Sequence, residues 1–130
     1  MRNVSLTTSQ RKSMRSMNKN VLEEVNTRVP FVCERNLLLR DHQCEGRITR
    51  EHALLYGGKK IDEYWAIVLL CEKSHNIGQW MDCGIMDKRI NEWIAINRMT
   101  KEDEGRFPKV NWKQKRKHLN SIFGNKALTN

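Results

Sequence analysis

Apolar residues recur at three- and four-residue spacing near the start of the chain. Met14, Met17, Val21, Leu22 and Val25 would share one face of a helix over residues 10–27, with Ser9 at its cap. A stripe of this kind is a packing face. Pro30 disfavours a helical backbone at Val29 and should end the helix there. Residues 31–44 hold no sustained period, only the short run Leu37, Leu38, Leu39, and read as irregular. After Gly46, Ile48 alternates with Arg47 and Thr49, which predicts a strand up to His52. Residues 57–63 predict a loop from their glycines and charges. Residues 64–70 (Tyr-Trp-Ala-Ile-Val-Leu-Leu) form the strongest strand signal. From Glu72 the period becomes helical to about Met81, with Gly84 marking the end. A second helix is predicted over 87–97, capped by Asp87, with Ile90, Trp93, Ile94 and Asn97 on one face. A charged connection containing Pro108 fills 100–111. A last helix over 112–123 closes at Gly124.

This order predicts a small α+β domain: a two-stranded antiparallel hairpin covered by N- and C-terminal helices. A two-stranded hairpin is not stable alone, so the helices must cover it or a metal must staple its base. With 130 residues the chain fits one domain with a modest core.

Charge divides the chain further. The formal net charge is +9, yet residues 1–20 and 106–130 together carry 12 of the 24 Lys/Arg and no acid. All 15 Asp and Glu lie between them, so the middle is net negative. Basic flanks around a carboxylate-bearing centre fit a polyanion held by the arms, with Trp112 beside the C-terminal charges. Nucleic acid fits better than acidic lipid, because neither end sets a long apolar face against its charges. No apolar run reaches a membrane span and no signal-peptide core is visible. The expectation is a cytoplasmic protein, in which the four cysteines bind metal rather than form disulfides.

The chemistry concentrates in Glu51-His52, the strand that ends in Cys71, and His75. A carboxylate and an imidazole can hold a divalent ion, and a neighbouring imidazole can deprotonate water, which is minimal equipment for phosphodiester hydrolysis. Consecutive strand residues face opposite ways, so Glu51 and His52 can serve one site only at a strand end or bulge. His75 lies one helical turn after Cys71, with Gln79 a further turn along. Arg47, Arg50, Lys59, Lys60 and Lys73 are candidate phosphate contacts near the site, and Lys113, Lys115, Arg116 and Lys117 are candidates in the basic tail. Trp65 and Trp93 are assigned to the core, and Trp80 and Trp112 are candidates for stacking on bases.

These residues resemble the HNH, or ββα-metal, nucleases, most closely small phage- and prophage-type members with a Cys…Cys-x-Gly…His…Gly…Leu-Cys-x-x-x-His pattern. The matching residues are Cys33, Cys44, Gly46, His52, Gly57 or Gly58, Leu70, Cys71 and His75, within about residues 31–83. The resemblance implies an HNH-like core over 31–83, and outside it the chain reads as a basic arm and helix over 1–30 and helices with a basic tail over 84–130. It implies a metal-dependent endonuclease acting on duplex or branched DNA, as in phage recombination. His52 would be the general base, and Glu51 and His75 would hold Mg²⁺ or Mn²⁺. Cys33, Cys44 and Cys71 match positions that hold a structural zinc in similar proteins. His42 is the better candidate for the fourth ligand and Cys83 the other, and His75 could instead join this zinc. Ser74 stands where many members have a further cysteine, Gln79 where relatives have another histidine, and Ala66 and Ile67 where an asparagine precedes the second strand. Two alternatives stay open: a catalytically degenerate, zinc-stapled nucleic-acid-binding module, and an interaction subunit whose basic arms dock an acidic partner.

Overall fold

A computed structural model describes residues 18–81 and 87–124. The parts of the expectations that fall on Ser9, Met14, Met17, Cys83 and Gly84 lie outside these residues. The chain folds into helix α1 (Lys19–Arg28), α2 (Glu34–Leu39), strands β1 (Ile48–His52), β2 (Leu55–Tyr56), β3 (Lys59–Lys60) and β4 (Ile67–Cys71), then α3 (Glu72–His75), α4 (Arg89–Ile96), α5 (Lys101–Arg106) and α6 (Trp112–Phe123). The class is α+β.

β4 organises the molecule. It pairs antiparallel with β1, from Ile48 opposite Cys71 to His52 opposite Ile67. All five β4 residues are buried, whereas every β1 residue is half-buried. Alternation divides the apolar residues of β4 between two faces. Ile67 and Leu69 pack with Val25 and Val29 from and beside α1, while Val68 and Leu70 join Trp65, Ile90, Ile94, Ile96, Trp112 and Leu119 on the other side. A continuous apolar run is what a strand covered on both faces requires. Burying each such aliphatic side chain stabilises by roughly 1.5–3 kcal/mol. Glu34, itself buried, accepts from the Leu69 N–H (2.8 Å) and pairs with Arg98, which ties α2 to β4.

Several expectations needed correction. Residues 34–39 are helical rather than irregular, and the segment expected as a charged connection contains α5, started by a reciprocal cap between Thr100 and Asp103. The strand expected over 64–70 begins only at Ile67, because Tyr64–Ala66 form one 3-10 turn. The expected loop, 57–63, contains β3 and the turn that joins it to β2, made by Gly57 (φ 58°) and Gly58 (φ 81°). A two-residue turn with both residues at positive φ suits the twist of a hairpin, and two glycines adopt it without strain.

The helix expected over 72–81 stops after one turn. Asn76 is left-handed (φ 60°), and its N–H returns to the carbonyls of Glu72 and Lys73. A separate 3-10 turn, Gly78–Trp80, follows, so Gln79 does not continue the face of Cys71 and His75. Val29 is extended before Pro30, and α6 occupies the span expected for the last helix. No helix among the described residues is long and apolar enough to cross a membrane.

Candidate functional site

Two clusters are built around the β1–β4 pair. The first joins Cys33, which precedes α2, with His42, Cys44 and Cys71, the last residue of β4. Their ligand atoms all lie within 4.8 Å of one another, and this is the only such group of three or more among the described residues. His42 Nε2 stands 3.7 Å from the Cys33 and Cys44 sulfurs and 3.4 Å from that of Cys71. A tetrahedral zinc, with bonds of about 2.3 Å to sulfur and 2.0 Å to nitrogen, separates those atoms by about 3.6 Å. The donors therefore fit zinc.

The surroundings favour the ligating form of His42 and of Cys71. The Asp41 carboxylate takes the His42 Nδ1 proton (3.0 Å), which leaves Nε2 bare toward the sulfurs. Arg35 grips Asp41 through Nε and Nη2. Burial raises the Asp41 pKa, but Arg35 and His42 outweigh it and the net value is lowered. Burial also opposes thiolate formation at Cys71, yet backbone N–H groups of Ser74 and Glu45, with His42 and Cys44, bring that thiol down to about 7. Cys44 is an exposed residue, but partial desolvation of its thiol and the neighbouring Cys33 and Cys71 push it up to about 12. Three sulfurs this close cannot all ionise beside one another unless a cation joins them.

The second cluster surrounds the end of β1. Thr49 and Glu51 share one face of the strand, and His75 at the end of α3 reaches both. The Thr49 hydroxyl gives its one proton to the Leu70 carbonyl (2.8 Å), so at 2.7 Å it accepts from His75 Nδ1. Neutral His75 consequently turns an unprotonated Nε2 toward Glu51 Oε1, 3.1 Å away. A protonated ring would instead donate Nε2–H to the carboxylate, whereas in the neutral form the two lone pairs face each other and call for a cation between or beside them. Adjacent ligand atoms on an octahedral ion with bonds of about 2.1 Å lie about 3.0 Å apart, so this pair fits a divalent ion.

Glu51 is further fixed by Asn91, whose buried amide donates to Oε2, and by the Lys88 ammonium, 3.2 Å from Oε1. Burial pushes the Glu51 carboxyl up, but His75 and Lys88 more than offset it and the net pKa is lowered. His52, the last residue of β1, has its Nε2 3.1 Å from Asp62 Oδ1. The ring is only 6% exposed, yet it and Glu51 line one cleft of about 410 Å³ with Ala53, Leu55, Lys60, Lys88, Glu92 and Lys115. Their position at the strand end lets neighbours from opposite faces border the same space.

Of the predicted site residues, then, the structure groups Cys33, His42, Cys44 and Cys71 in one cluster and pairs Glu51 with His75, which does not join the sulfurs. Lys60 and Lys115 line the cleft, and Lys115 also pairs with Glu92 at 2.9 Å. Arg50 bonds Asn26 toward α1, Arg116 holds Glu104, and Arg47 stands 3.8 Å from Glu72. Lys59, Lys73, Lys113 and Lys117 are not among the cleft residues. Trp112 is buried and donates to the Phe107 carbonyl, so it is a core residue rather than a stacking platform.

Sequence reasoning missed Asp41, Thr49, Asp62, Lys88 and Asn91. Thr49 carried a signal, since it stands two residues before Glu51 on the same strand face. No family model, curated protein or solved structure matches the chain.

Proposed function

We propose that this protein is a metal-dependent endonuclease of the ββα-metal type, hydrolysing phosphodiester bonds of duplex or branched DNA. The observation that carries the reading is the approach of His75 Nε2 to the Glu51 carboxylate, 3.1 Å from Oε1, on the strand that ends in His52. Glu51 and His75 would hold Mg²⁺ or Mn²⁺. That ion, when bound, supplies charge relief at the phosphoryl oxygens and the departing 3′ oxygen.

The protein's own groups do the rest. His52 donates its Nε2 proton to Asp62, so Nδ1 keeps the lone pair that can accept a proton from water. Asp62 then stabilises the imidazolium that this transfer creates. Lys60 and Lys115 bring positive charge to the cleft, and the basic composition of both flanks in the sequence suits a polyanion. Zinc on Cys33, His42, Cys44 and Cys71 would fix the loop before β1 to the junction of β4 and α3.

The test is nicking of supercoiled plasmid by purified full-length protein with Mn²⁺, with and without EDTA. EDTA should abolish nicking, and His52→Ala should lower its rate by at least 100-fold, the scale of a lost general base. Undiminished cutting by His52→Ala overturns the assignment.

The low exposure of His52 favours a second reading, a zinc-stapled module that binds nucleic acid without cutting it. A gel shift without metal-dependent nicking would select that alternative.

A further inference from the structure

Lys88 is the lysine of this cleft that the proposed reaction does not yet use. Its ammonium lies 3.2 Å from Glu51 Oε1, the oxygen that faces His75 Nε2, and 3.2 Å from the His75 backbone carbonyl. It bridges the two residues that the endonuclease reading assigns to the divalent ion. The placement is supported by the chain around it. The Asp87 carbonyl just before Lys88 accepts from Arg35 Nη1 at 2.6 Å, and Arg35 is itself anchored on Asp41. Lys88 thus approaches Glu51 from a braced backbone, while its side chain stays half exposed on a flexible stem.

We propose that Lys88 acts as a stand-in cation. It neutralises Glu51 while the ion site is open, gives up Oε1 when a divalent ion binds, and then turns its ammonium to a DNA phosphate in the same cleft. The inference rests on the ion-site reading above. Its physical basis is competition: Oε1 accepts from the ammonium where a metal ligand must present its lone pair, and two cations at one oxygen repel. Release costs little, because the ammonium is half exposed and an exposed ion pair contributes only modestly. The freed charge stays beside Lys60 and Lys115, which line the same space.

Two measurements on the full-length protein test this. The first is calorimetric titration with Mn²⁺ in the absence of DNA, comparing wild type with Lys88→Met, Lys88→Arg and Glu51→Gln. Lys88→Met should tighten the Mn²⁺ Kd by about two- to fivefold, the range an exposed pair supports. Lys88→Arg, which keeps the competing charge, should stay near wild type, and Glu51→Gln should lose the site. An unchanged or weaker Kd in Lys88→Met overturns the role of Lys88 while leaving the ion site standing. Undiminished binding by Glu51→Gln overturns both.

The second is the salt dependence of duplex binding, measured in a His52→Ala background so that the DNA stays intact. With Mn²⁺ present, Lys88→Met should reduce the slope by about one counterion; without Mn²⁺ it should leave the slope unchanged. Equal slopes in both conditions would contradict the switch of partner.

Discussion

At the residue scale, the hydroxyl of Thr49 decides what His75 can do. It has one proton, given to the Leu70 carbonyl, and therefore receives the Nδ1 proton of the imidazole. Replacing it with valine keeps the shape and removes the acceptor, so His75 can rotate or adopt the other tautomer. Loss of such an outer partner costs 10- to 100-fold in metal affinity in comparable sites. Thr49→Val should accordingly weaken Mn²⁺ binding by about tenfold or more, read by calorimetry, while the thermal midpoint stays close to wild type. Unchanged affinity would show that the hydroxyl does not set the tautomer. The candidate ligands themselves were legible, because Glu51-His52, Leu70-Cys71 and His75 lie within short stretches whose spacing carries chemical meaning. Asp62 and Asn91 were not. They reach His52 and Glu51 across 10 and 40 residues, and no local period points to such contacts.

Individual elements were legible where their own residues carry a strong signal. The apolar run that forms β4 stood out although it is only five residues long, and the last helix was bounded by its closing Gly124. The six-residue helices α2 and α5 are too short to repeat a helical period several times. Thr100 with Asp103 three residues later was nonetheless a usable start signal for α5, and Gly57-Gly58 was one for the β2–β3 turn. The end of α3 depends on a left-handed Asn76, a conformation that sequence marks only weakly.

Gly46 shows how an element's position can rest on one backbone site. Its φ is +80°, and an added Cβ would stand 2.8 Å from the Glu72 Cβ and 2.8 Å from the Trp80 ring. Glu72 also accepts from the Arg47 N–H at 3.0 Å, so displacing it loosens the entry to β1. Gly46→Ala should destabilise by about 2–4 kcal/mol, combining left-handed strain with overpacking. Urea denaturation measures it, and a cost below about 1 kcal/mol would mean that Glu72 and Trp80 move aside freely.

For the whole molecule, apolar packing and the Cys/His cluster divide the work. Two apolar clusters clasp β4 from either side, and α4 and α6 complete the larger one. The polar segment from Arg40 to Arg47 lacks such support, and His42 and Cys44 tie it to Cys33 and Cys71. Structural zinc sites commonly contribute more free energy than a small domain has to spare. Stripping zinc with a strong chelator should therefore lower Tm by more than about 10 °C. An unchanged midpoint would mean that the thiols are ordinary buried groups. Arg35, with one edge on Asp41 and one nitrogen on the Asp87 carbonyl, links this cluster to the approach of Lys88.

The central claim is that Glu51 and His75 jointly hold the ion on which DNA cutting depends. Its most direct measurement is the rate of plasmid nicking against Mn²⁺ concentration for wild type, Glu51→Gln and His75→Ala. The account predicts saturable, Mn²⁺-dependent nicking in the wild type and a loss of at least about 100-fold in both variants under the same conditions. Nicking that needs no divalent ion, or that both variants sustain at the wild-type rate, would contradict it.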